Sequence, residues 1–199
     1  MTGAPDPSIN TLPDPETITL HTPRLLLRPY RPGDARMYVE MHQQNRAHLR
    51  EFLPDELRDM QTAADAAGQI GRMDRQWRSG ELFAFGAWEH ATGAYVGETY
   101  LANADWAVPA IELGYFVVAS QTGRGYAVEA GRAVVRFAFE RLGVGRLDLQ
   151  CASDNRASAR VAERIGFRLD GCQRLRHRKR DGTLVDRLWY GLLRPEWEG

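Results

Sequence analysis

The sequence predicts an α/β fold built on a mixed sheet, and three observations carry that reading. Short apolar runs rich in β-branched and aromatic residues recur along the chain. Amphipathic stretches with three- and four-residue spacing lie between them. From Glu112 to Ala130 an apolar strand passes through a glycine turn directly into a helix, the layout that aims consecutive backbone N–H groups at an anion.

The elements follow in order. Residues 1–16 hold Pro5, Pro7, Pro13 and Pro15 among small and acidic residues, a composition that buries no core and reads as a mobile arm ahead of one domain over 17–199. Arg24 to Tyr30 reads as a strand, and Pro32-Gly-Asp34 opens a helix from Ala35 to about Leu49 with Asp34 as N-cap. Thr62 caps a second helix, where Ala66, Ile70, Met73 and Trp77 form one buried stripe. Leu82–Trp88 and Ala94–Leu101 flank a glycine turn and form an antiparallel hairpin. Ile111–Val118 is the next strand, and the helix after the glycine loop buries Ala127, Ala130, Val134, Phe137, Ala138 and Leu142. A strand at Arg146–Cys151, a helix at Asn155–Ile165, and strands at Phe167–Arg178 and Leu184–Leu193 complete the chain.

Composition bounds the function. The 199 residues carry a net charge of +0, which gives no bulk attraction to nucleic acid or membrane. No apolar run approaches the roughly 20 residues of a membrane span, and the N-terminus lacks the basic and apolar regions of a signal peptide, so the cytoplasm is the expected address. Cys151 and Cys172 are too few for a disulfide scaffold and read as buried reduced thiols. No Cys/His metal spacing appears. Residues 141–180 hold eleven Arg/Lys against four Asp/Glu. Within them Arg174, Arg176, Arg178 and Arg180 alternate as one face of a strand, a solvated face or a surface for RNA or phosphate.

Four ordered motifs carry a resemblance: Leu20-His-Thr-Pro-Arg-Leu-Leu-Leu-Arg28, the Gly114-Tyr115 strand with its glycine loop, Asn155-x-x-Ser158, and Asp186-x-x-x-Tyr190. Together they resemble the GNAT N-acetyltransferase superfamily, and within it the RimJ/RimL-like branch, over roughly residues 18–197. The resemblance implies a GNAT fold, a mostly antiparallel twisted sheet of about seven strands flanked by about four helices. It also implies acetyl transfer from acetyl-CoA to a primary amine, on a protein N-terminus or a small molecule, within a ternary complex and without a metal. A coenzyme-A-binding or ribosome-associated module without turnover, or a longer acyl donor, is the alternative; a monomer and a homodimer both stay open.

In that reading the backbone of Phe116, Val117 and Val118 pairs with the pantetheine arm as an added strand. Gln121, Gly123, Arg124, Gly125, Tyr126 and Ala127 surround the pyrophosphate, with Arg124 adding charge. Asn155 caps its helix and meets the pantetheine amide, and Ser158 donates a proton to the departing thiolate. Glu112 is the leading base and Glu98 the reserve, because an α-amine with a pKa of about 8 needs only a weak base. Tyr100 and Asp186 are assigned to the acceptor. Two departures stand out: Thr122 occupies the position where the family usually has Gln or Arg, with Gln121 one residue early, and Ala162 replaces a tyrosine that many members use as the acid. His42, His48 and Trp77 read as packing or surface residues, and residues 45–60 as part of the acceptor pocket.

Overall fold

The computed structural model describes residues 12–50 and 60–199. Within them eight strands form one sheet: β1 (Leu20–His21), β2 (Leu25–Arg28), β3 (Leu82–Glu89), β4 (Tyr95–Asp105), β5 (Ala110–Val117), β6 (Arg146–Ala152), β7 (Arg168–Arg178) and β8 (Leu184–Leu193). Their spatial order is β1-β2-β3-β4-β5-β6-β8-β7, antiparallel throughout except for the β5–β6 pair. Five helices accompany them: α1 (Ala35–Gln44), α2 (Arg46–Leu49), α3 (Ala63–Ser79), α4 (Tyr126–Phe137) and α5 (Arg156–Ile165). The additions to the expected count are small. β1 is a two-residue pair with β2, and α2 is one turn split from α1 at Asn45.

That split has a visible cause. The Asn45 side chain donates to the Met41 carbonyl at 2.9 Å and accepts from the Ala119 N–H at 2.9 Å. One buried carboxamide therefore ends α1 and pins the chain just past β5. Thr62 caps α3 as expected, accepting from the Asp65 N–H at 3.1 Å, and Gly80 ends it at φ 76°. Asp34 does not cap α1. Its carboxylate is held instead by Arg28, at 2.7 and 2.9 Å, and by the Arg31 N–H.

The sheet carries a core on each face. On one, α4 and α5 cover Phe83, Phe85, Leu101, Leu113, Leu147 and Leu149, with Trp77 edge-on to Phe83 and Phe85. On the other, α1 and α3 cover Tyr30, Ala84, Phe116 and Val118. Of the arm expected over residues 1–16, the described part is tied down, because the Trp77 indole donates to the Pro13 carbonyl at 2.7 Å and Leu12 packs on the first core; residues 1–11 lie outside the described residues. Cys151 is buried as expected, whereas Cys172 is exposed because β7 is an edge strand with little cover. No helix among the described residues is long and apolar enough to cross a membrane.

The expected alternation of arginines along β7 is interrupted. Gln173 pairs with Arg187 and His177 with Val185, so residues 174–176 stand opposite Asp186 alone, and Leu175 adopts φ 51°. Arg174 and Arg176 lie in this bulge rather than in a regular ladder.

Candidate active site

The β5–β6 ladder is short. It pairs Ala110 with Arg146, Ile111 with Leu147 and Glu112 with Asp148, and then the two strands diverge. A cavity of about 720 Å³ lies along the divergence, walled by residues 112–117 of β5, 149–152 of β6 and the first turn of α5. Glu112, where the ladder stops, lines one end. The other end is the glycine loop that opens α4.

β5 presents a free backbone edge to this cavity. The Val118 N–H donates to Val96 on β4, so alternation turns the backbone groups of Val118 and Phe116 toward β4 and those of Val117 and Tyr115 toward the cavity. The three consecutive residues assigned to the pantetheine arm are thereby corrected: Val117 can pair with a ligand strand, as can Tyr115, while Phe116 lines the cavity and Val118 does not reach it. The Val117 carbonyl is held by His48 Nε2 at 3.1 Å, so His48 is a wall residue rather than a bystander. Arg180, from the β7–β8 turn, donates to the Arg50 carbonyl, joining that turn to the end of α2. Of the acceptor segment expected at 45–60, His48 and Leu49 line the cavity, and residues 51–59 lie outside the described residues.

The loop at the other end is built for close approach. Gly123 and Gly125 adopt φ of 75° and 80°, the left-handed region open to glycine without strain, and α4 starts at once after Gly125. Gln121, Gly123, Gly125, Tyr126 and Ala127 line the cavity. The Tyr126 phenol itself points elsewhere and donates to Glu89, leaving its backbone for the ligand. Arg124 is exposed and outside the lining; its carbonyl accepts from Arg24 at 3.0 Å. Arg24 also lies over the Tyr126 ring at 4.5 Å and pairs with Glu129, bracing the loop from β2. Thr122 closes its own turn on the Ala119 carbonyl at 3.0 Å. The Gln121 amide oxygen is buried without a partner, so the side chain one residue early is the one turned inward.

The two candidate bases share a face of the sheet but not an environment. Register sets Glu98 beside Phe116, Tyr100 beside Gly114 and Ala102 beside Glu112. Glu112 lines the cavity. Gln150 Nε2 donates to both its oxygens at 2.9 Å, and Asn103 Nδ2 to one at 3.1 Å, from a β4 bulge where Asn103 takes φ 54°. Glu98 is 6% exposed, does not line the cavity, and keeps one oxygen without a partner. It sits among Tyr30, Tyr38 and Tyr95, and burial pushes its carboxyl up to about 7. Between the two stands Tyr100, whose ring lies over Gly114 so closely that any Cβ there would enter it. Burial, then Glu98 and Glu112, push the Tyr100 phenol up to about 12, so it stays a neutral donor at the cavity wall.

Asn155 caps α5, accepting from the Ser158 N–H at 3.1 Å, and both residues line the cavity. Ser158 Oγ lies 2.9 Å from the Tyr115 hydroxyl, which crosses from β5. Asp186 is elsewhere: its carboxylate accepts from the Leu175 N–H at 2.9 Å and from Cys172, filling the β7 bulge outside the lining. No group of three or more His, Cys, Asp or Glu suited to a metal occurs among the described residues.

A family model described as an acetyltransferase (GNAT) domain matches residues 24–168. The chain belongs to the GNAT acetyltransferase family. Among its relatives, YdaF of Bacillus subtilis (strain 168), provisionally named a ribosomal N-acetyltransferase, is 29% identical over 88% of this chain and 94% of its own length. The [ribosomal protein uS5]-alanine N-acetyltransferase of Escherichia coli (strain K12) is 24% identical over 90% of this chain and 93% of its own. The fold matches RimL, a ribosomal L7/L12 α-N-protein acetyltransferase solved in complex with coenzyme A, with a TM-score of 0.80 at 19% identity over 88% of this chain and 98% of that one. Sequence reasoning gave no role to Tyr115 or Gln150 and read His48 as packing or surface although it fell in the 45–60 segment; Tyr115 stood inside a quoted motif, while Gln150 reaches the cavity only through the tertiary fold.

Proposed function

We propose that this GNAT enzyme transfers the acetyl group of acetyl-CoA to the α-amine of a protein or peptide N-terminus by direct attack in a ternary complex. The observation that carries the reading is the early end of the β5–β6 ladder at Glu112 and Asp148, which leaves a free β5 edge running from the glycine loop to a carboxylate. The loop N–H groups and the α4 N-terminus suit a pyrophosphate. The Val117 and Tyr115 backbone suits a strand-like pantetheine, with N–H groups available to a developing oxyanion. Glu112, held by Gln150 and Asn103 and facing the cavity, takes the amine proton through water. An α-amine is neutral at lower pH than a lysine, about 8 against 10.4, and so matches an unassisted carboxylate base. The relatives named as ribosomal and ribosomal-protein-alanine N-acetyltransferases support that acceptor class, and the cytoplasm is the proposed place of action.

The test is thiol release from acetyl-CoA across N-terminal peptides and a small-amine library. Peptides with free N-termini are expected to release thiol and to lose that response when pre-acetylated. Binding of acetyl-CoA with no thiol released by any amine would overturn the proposal.

A further inference from the structure

Ser158 has a built-in partner that neither the motif nor the proposed mechanism uses. Its backbone N–H is fixed by the Asn155 cap, and its hydroxyl lies 2.9 Å from that of Tyr115, a residue of the opposite wall. Both line the cavity, and the bond spans the gap where β5 and β6 have separated. Ala162, one turn further along α5, is fully buried and carries no hydroxyl.

We infer that Tyr115 is a positioning residue that donates to Ser158 Oγ, so that the Ser158 hydroxyl points its own proton at the sulfur of coenzyme A. The pair then forms a two-hydroxyl chain ending on the leaving group, and donation into Oγ strengthens the donor at its far end. This inference rests on the acetyl-transfer reading of the cleft.

The chain holds a hydrogen bond and does not hand over a proton. Burial pushes the Tyr115 phenol up to about 12, while a free thiol titrates near 8.5. Moving the proton from phenol through serine to sulfur would be uphill by roughly three powers of ten. The step therefore balances as follows. The N–C bond forms as the C–S bond breaks, and sulfur leaves with the electron pair as a thiolate. The Ser158 O–H stabilises it, the amine proton goes to Glu112, and the thiolate takes a proton from water on release. This revises the expectation that Ser158 protonates the thiolate.

The experiment uses Tyr115→Phe, which keeps the buried ring, together with Ser158→Ala and the double variant. Each single change is expected to lower kcat about tenfold or more with KM for acetyl-CoA within about twofold. The double variant should match Ser158→Ala within about twofold, because Tyr115 acts only through Ser158. Equal turnover in Tyr115→Phe and wild type, or a further tenfold loss when it is added to Ser158→Ala, would overturn the inference. A second readout needs no acceptor: the thiol of bound coenzyme A, titrated by its thiolate ultraviolet absorbance against the desulfo analogue, should have a lower pKa in wild type than in Tyr115→Phe by about one unit. A shift of that size without turnover on any amine would keep the inference and reject the acetyl-transfer reading; no shift would reject the inference.

Discussion

Glu98 and Glu112 project from neighbouring strands onto the same face of the sheet, yet one is enclosed by tyrosines and the other faces a cavity. Glu112 sits where β5 and β6 part, and amide donors from Gln150 and Asn103 fix both of its oxygens. Glu98 lies on β4, which is paired on both sides, and Tyr38 of α1 and Tyr30 lie against it. The same residue type on the same face thus faces the cavity in one place and is a buried, proton-holding group in the other. What separates them is whether the next strand has been peeled away.

The sharpest way to break the comparison is to neutralise each glutamate. Glu112→Gln is expected to lower kcat by about 10²–10³ while leaving acetyl-CoA affinity within about twofold, because the carboxamide keeps the size but not the proton acceptor. Isothermal binding and thiol-release kinetics check it.

The Glu98 region is expected to respond in stability. Its carboxyl is raised from 4.5 to about 7, so the folded protein holds a proton that the unfolded chain releases, and stability falls as pH rises through that window. His42, packed against Tyr38 and Phe116, runs the other way: burial lowers it from 6.5 to about 4, so stability falls as pH drops from about 6.5 to 4. The two slopes oppose over the shared range, each worth on the order of 3 kcal/mol when complete. Urea unfolding across that range should show stability rising with pH in Glu98→Gln relative to wild type, and falling with pH in His42→Gln relative to wild type. Parallel curves in all three would contradict the assignment.

Smaller effects sharpen the boundary between the regions. Gly114→Ala places a methyl group inside the Tyr100 ring, and should cost about 1–3 kcal/mol in thermal or urea unfolding as Tyr100 is displaced. Asn45→Ala removes the tie to the Ala119 N–H, and should cost about 1–2 kcal/mol of stability and loosen coenzyme A binding severalfold through the loop that follows β5.

How far this was legible in the sequence follows from what each feature depends on. The strand, loop and α4 succession is written in local residues, as are the Thr62 and Asn155 caps, and local physics decides them. The early end of the β5–β6 ladder, which makes the cavity, has no local signature, because it depends on how two distant segments diverge. Glu98 and Glu112 look alike in sequence for the same reason. Tyr115 stood in plain view, but its partner is 43 residues away. Asp186 was drawn into the acceptor site by a motif, whereas a bulge in β7 claims its carboxylate. The offset of Gln121 from the usual position was legible in the sequence, whereas the closing of Thr122 on its own turn and the inward turn of Gln121 are matters of loop geometry.

The central claim is that the parting of β5 and β6 selects Glu112, and not Glu98, as the group that meets the amine. The most direct measurement is the ratio of kcat in Glu98→Gln to kcat in Glu112→Gln, with saturating acetyl-CoA and one peptide acceptor near neutral pH. The account predicts a ratio of about 100 or more, with Glu98→Gln close to wild type. A ratio at or below about one would contradict it and make the buried carboxyl the base.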